Sequence, residues 1–73
     1  MSLLFIITED PAKRMLVSAE NGDVDTVRSM LADIRDPVDR AALVNVHDND
    51  GYSPLHRASY GGHLEMAKVL NQL

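Results

Sequence analysis

Three histidines, His47, His56 and His63, are the side chains in this sequence with the most versatile chemistry, and acidic neighbours Asp48 and Asp50 could join them around a metal ion. Their spacing argues against that use. Zinc ligands usually come in pairs two to five residues apart, often with cysteine, whereas these histidines are nine and seven positions apart in a chain without cysteine. Asp48-Asn49-Asp50-Gly51 has the composition of a calcium loop. Aligning Gly51 with that loop's glycine, however, puts Val46 at the first ligand and Arg57 where a bidentate glutamate is required. Gly61-Gly62 lacks the further glycines or Lys-Ser/Thr partner of a phosphate-binding loop. Ser18, Ser53 and Ser59 have no base placed to activate them. No catalytic residue, metal site or cofactor is expected.

These residues have a simpler use as punctuation. Asp50-Gly51 marks a tight turn. Ser53 is a natural N-cap, and Pro54 after it loses no hydrogen bond at the first helical position and has φ preset. A helix should start there and stop at Gly61-Gly62, with a second helix from Leu64. Earlier in the chain, Asp10-Pro11 gives the same start signal, and Ala12, Met15, Leu16 and Ala19 fall on one helical face. Asn21-Gly22 ends that helix. Asp23 caps another, which carries Val24, Val27, Met30, Leu31 and Ile34 on its apolar face, with Asp25 near the positive end of the helix dipole. The order helix, glycine turn, helix thus occurs twice, and Gly22 aligns with Gly62 at an offset of 40 residues.

Composition bounds what such a chain can be. Its 73 residues include no cysteine and are 45% hydrophobic, enough for one small domain of marginal stability without disulfide staples. The net charge of −4 and scattered Lys and Arg argue against direct nucleic-acid or anionic-membrane binding. Three aromatics, Phe5, Tyr52 and Tyr60, are too few for a base-stacking platform. The longest apolar run, Leu3-Leu4-Phe5-Ile6-Ile7, falls far short of the roughly 20 residues that span a bilayer. An intracellular setting, cytoplasmic or nuclear or both, is the expectation.

Ser53-Pro54-Leu55-His56-Arg57-Ala58 resembles the ankyrin signature T-P-L-H-x-A, with Ser in place of Thr. The likeness extends forward through Gly62-His63-Leu64-Glu65 and back through Val44-Asn45 and Asp48. It implies an all-α fold, a solenoid fragment of two stacked helical hairpins with a β-like turn between them. Residues 10–35 form a divergent capping repeat, with Lys13-Arg14-Met15-Leu16 where the signature would stand, and 48–73 a second repeat incomplete at its C-terminus. The offset of 40 exceeds the 33 of an ankyrin repeat, and the excess is assigned to a lengthened loop over 36–47, through which Pro37 argues against the preceding helix continuing and within which Val38 to Leu43 can form a short extra turn. Residues 1–9 are read as an extension over the exposed core face.

The resemblance also implies a function resting on shape. Ankyrin solenoids dock proteins on a concave face of hairpin tips and first helices. By position the partner-binding candidates are His47, Asn49, Asp50, Tyr52, Arg57 and Tyr60, with Glu20 and Asn21 equivalent in the first repeat. Tyr and Arg are the types that most often anchor interfaces. His56 is expected to hydrogen-bond in the loops, and His63 to open the second helix. Leu64, Met66, Val69, Leu70 and Leu73 are expected to leave the last hairpin apolar and open, so that the chain is a fragment, a truncated product, or covers this face by self-association. A structural end-piece without binding activity of its own is the alternative.

Overall fold

A computed structural model describes residues 10–72 as five helices with no strand among them. They are α1 (Pro11–Asn21), α2 (Val24–Ala32), α3 (Pro37–Val44), α4 (Pro54–Tyr60) and α5 (Leu64–Asn71). The expected all-α fold is what is found. The extension over 1–9, and Leu73, lie outside the described residues.

The helix starts follow the local chemistry. Asp10, Asp23 and Asp36 each stand before a helix with the carboxylate accepting a backbone N–H of the first turn, from Ala12, Thr26 and Val38 respectively. Ser53 does the same for α4 in a reciprocal arrangement: its hydroxyl accepts from the His56 N–H, while His56 Nδ1 accepts from the Ser53 N–H at 3.2 Å. That bond gives His56 the local structural task expected of it. Pro11, Pro37 and Pro54 occupy first-turn positions where no N–H is needed.

One element is longer than the short extra turn allowed for at Val38 to Leu43. The lengthened loop assigned to 36–47 is mostly helix, since Pro37–Val44 forms α3. Asp36-Pro37 is the same start signal as Asp10-Pro11. Pro37 ends the preceding helix, as expected, and simultaneously starts a new one. Asp39 favours its positive end, Arg40 Nη2 donates to the Ile34 carbonyl at 2.8 Å and closes the approach, and Leu43, Val44 and Val46 pack onto the core.

The core lies between the two hairpins. Met15 and Ala19 of α1, Val27 and Leu31 of α2, Ala58 of α4 and Met66, Val69 and Leu70 of α5 form one buried cluster. α1 packs against α4 and α2 against α5, so the repeats stack side by side. This corrects the expectation for the last hairpin. Met66, Val69 and Leu70 are buried at 0%, 7% and 4% exposure, because the face they share turns back onto the first repeat; Leu64 alone of the described residues in that set stays open. Burying each such side chain contributes about 1.5–3 kcal/mol relative to leaving it in water.

His63 joins the repeats at the turns. Its ring lies against both glycine corners: a Cβ built on Gly22 would stand 2.5 Å from Nδ1, and one on Gly61 2.6 Å from Cδ2. Gly22 also has φ +72, a conformation disfavoured for side-chain-bearing residues. This position therefore needs glycine twice over.

Candidate functional site

The site is built on Asp48. It opens the turn to Tyr52, where the Asp48 N–H donates to the Tyr52 carbonyl at 3.0 Å and Gly51 N–H donates to the Asp48 carbonyl at 3.0 Å. The carboxylate completes the turn from inside, Oδ1 accepting from the Asp50 and Tyr52 N–H groups at 2.9 Å each. The other oxygen, Oδ2, accepts from Arg57 Nη2 at 2.6 Å and Nε at 3.2 Å. Arg57 reaches from α4 with a second nitrogen, Nη1, to the Glu20 carboxylate at the end of α1. One guanidinium thus ties together the turn, the second repeat and the first.

The charges are set accordingly. The Tyr52 N–H, followed by Arg57, holds the Asp48 carboxyl below the usual carboxylate range, because both favour the ionised form. Asp48 first and Glu20 second raise Arg57, which stays protonated.

Two aromatic rings stand beside this network. Tyr52 and Tyr60 meet edge to face, with centroids 5.7 Å apart and planes at 85°, and Tyr52 meets His56 in a similar way at 6.0 Å. Such pairs fix ring orientation through the positive edge and negative face of the aromatic system. Tyr60 remains 79% exposed and Tyr52 38%.

The six residues singled out by position do not form one surface. Asp50, Tyr52, Arg57 and Tyr60 meet Glu20 and Asn21 around an open groove of about 520 Å³. His47 and Asn49 instead line a hollow of about 440 Å³ with Lys13, Leu16 and Val17. Asp48 and Arg57 border both. Arg57 is occupied in holding the repeats together. Asp48 was missed as a site residue, although its place two residues before Asp50, where an aspartate can accept the N–H of a turn, carried the signal.

Among the described residues no three His, Asp or Glu side chains gather as a metal site would require, and no helix is long and apolar enough to cross a membrane. His56 is engaged by Ser53 and His63 by the glycine corners.

Stacked helical hairpins, a turn projecting between them and the near-complete signature at 53–58 all point to one class of protein, and the model for ankyrin repeats (many copies) matches residues 15–70. The chain belongs to the ankyrin repeat family. Repeats of this family are generally protein-interaction modules and generally non-catalytic.

Among individual proteins it is similar to ankyrin repeat domain-containing protein 49. Identity is 42% to the Bos taurus protein and 40% to the Homo sapiens protein, each over 85% of this chain. The Drosophila melanogaster protein of the same name is 59% identical over 44% of the chain and 15% of its own length. The chain spans about a quarter of the mammalian relatives, 24% of the bovine and 23% of the human one. No solved structure matches it.

Proposed function

We propose that this chain is a non-catalytic binding module that docks another protein in the groove between the 48–52 turn and the ends of α1 and α4. The observation carrying this reading is the Tyr52–Tyr60 pair, two oriented aromatic rings left open beside a concave surface. Leaving such rings in water costs free energy that a partner would recover. Asp50, Glu20 and Asn21 complete the contact surface, while His47 and Asn49 line the separate hollow on the other side of the turn. Arg57 serves by holding the groove in shape. Direct nucleic-acid binding does not fit an acidic chain, and a cysteine-free chain suits the cytoplasm or nucleus, where we place this activity. Two repeats offer little contact area compared with the roughly 800 Å² per partner of a standard interface, so modest affinity is expected from this chain alone.

The test is partner capture with wild-type chain against the Tyr52→Ala/Tyr60→Ala variant. Neither tyrosine is buried, so the variant should keep its circular-dichroism spectrum while losing captured protein. Equal capture by both would refute the groove as the docking surface.

A second reading is that the chain is a structural end-piece within a longer repeat array. It is favoured by Leu55 and Leu64, 41% and 70% exposed. Light scattering with a thermal melt separates the two: a cooperative monomeric melt supports an autonomous module, and a broad melt or aggregation supports the end-piece.

A further inference from the structure

We infer that the groove selects a cationic segment, a lysine or arginine side chain of the partner laid against Tyr60 between Glu20 and Asp50. This deepens the proposed docking reading and rests on it. Three carboxylates, Glu20, Asp48 and Asp50, line the groove against one guanidinium, Arg57. That guanidinium is already paired with Asp48 and Glu20, so it offers an incoming anion little net attraction. The charge left over is negative. It is concentrated on Asp50, which makes no ion pair among the described residues, and on Glu20, whose side chain is 51% exposed.

The aromatic pair gives the second half of the recognition. Tyr60 is turned edge to face with Tyr52 and is 79% exposed, so ring surface stays open to solvent within the same groove. A cation over a tyrosine face is attracted by the ring quadrupole, and carboxylates nearby add direct Coulomb attraction. An acidic peptide meets repulsion here, and a neutral apolar peptide leaves the carboxylates without a counter-charge. The net charge of −4 also favours the approach of cations to the chain in general, an effect that added salt screens.

The experiment is an amide NMR titration of the full 73-residue chain with three acetylated, amidated pentapeptides, Gly-Ser-X-Ser-Gly, where X is Arg, Glu or Leu. The inference predicts saturable shifts with the arginine peptide at Glu20, Asn21, Asp50 to Tyr52, Tyr60 and Gly61, weakened as sodium chloride rises from 50 to 500 mM. Tyr60→Ala should weaken that binding about two- to fivefold, the range of an exposed cation–π contact, and Asp50→Asn should reduce its salt dependence. Tyr60→Phe, which keeps the ring, should restore it. Equal or stronger shifts at the same amides with the glutamate or leucine peptide would overturn the cationic assignment and leave the groove a docking surface of different preference. Absence of saturable shifts with the arginine peptide, or indifference to Tyr60→Ala, would overturn it as well; the docking reading stands or falls separately, on partner capture.

Discussion

Replacing Gly22 by alanine tests how the two repeats are held together. The backbone there has φ +72, which costs an alanine about 1–2 kcal/mol. Its new Cβ would stand 2.5 Å from His63 Nδ1 and 2.8 Å from two carbons of the ring, so the ring must leave its place between the glycine corners. Forcing an extra carbon into a packed site typically costs about 1–3 kcal/mol more. Gly62 is the internal control, since it has nearly the same backbone, φ +71, with nothing within 4 Å of a built Cβ. Gly62→Ala should therefore lose only the backbone part. A domain of this size holds on the order of 4–10 kcal/mol, and urea slopes for small proteins are about 1 kcal/mol per molar or somewhat more. The expected result in urea unfolding followed by circular dichroism is a midpoint for Gly22→Ala below that of Gly62→Ala by about 1 M or more. If Gly22→Ala is unfolded in buffer, a trimethylamine N-oxide titration places it on the same scale. In a His63→Ala background the two glycine variants should converge. Equal losses for the two in the wild-type background, or a gap that survives removal of the ring, would refute the packing argument.

Other perturbations follow from the same structure. Met66→Ala, at a fully buried position, should cost about 2–5 kcal/mol and so remove much of the cooperative melt. Asp36→Ala should cost about 1 kcal/mol by uncapping α3, with a loss of helical signal that a loop at 36–47 would not give. The pH dependence has a definite sign: the folded carboxyls of Asp48 and Asp23 titrate below the ordinary carboxylate value, so their contribution is fully present above about pH 4 and is lost as pH falls through the folded values. Thermal melts should accordingly be nearly flat through neutral pH and drop on acidification. Asp48→Asn, which keeps an acceptor for the turn N–H groups but removes the charge, should lose more stability at pH 7 than at pH 3.

Much of this arrangement is legible in the residues because local chemistry and packing agree. Ser53-Pro54 and Asp10-Pro11 start helices where they are expected to, and the apolar spacing of Met15, Leu16 and Ala19 marks the buried face of α1. α3 escapes that reading for a physical reason. None of its residues is fully buried, and Leu43 and Val44 only border the core, so the clearest local signal for it is the cap at Asp36-Pro37. The open last hairpin is mistaken for a similar reason. Periodicity shows that Met66, Val69 and Leu70 share a face but not which neighbour covers it, and the partner turns out to be the first repeat. At the candidate site, Asp50, Tyr52 and Tyr60 are singled out by their positions beside the signature, and the structure places all three around one groove. The division of the six candidates between two hollows depends on the three-dimensional course of the turn, which no spacing encodes. Nor does it reveal that Arg57 is spent on Asp48 and Glu20, the latter 37 positions away along the chain.

Site-specific photocrosslinking distinguishes a docking groove from an inert surface. A benzophenone amino acid placed at position 60 reports what lies on the groove, and one at position 38 serves as control, since Val38 is 74% exposed on α3, which is not among the elements lining the groove. The account predicts discrete protein adducts in cell extract from position 60, competed away by unlabelled wild-type chain but not by Tyr52→Ala/Tyr60→Ala, and none of these from position 38. Adducts equally frequent at both positions, or undiminished by wild-type competitor, would contradict a docking site in this groove.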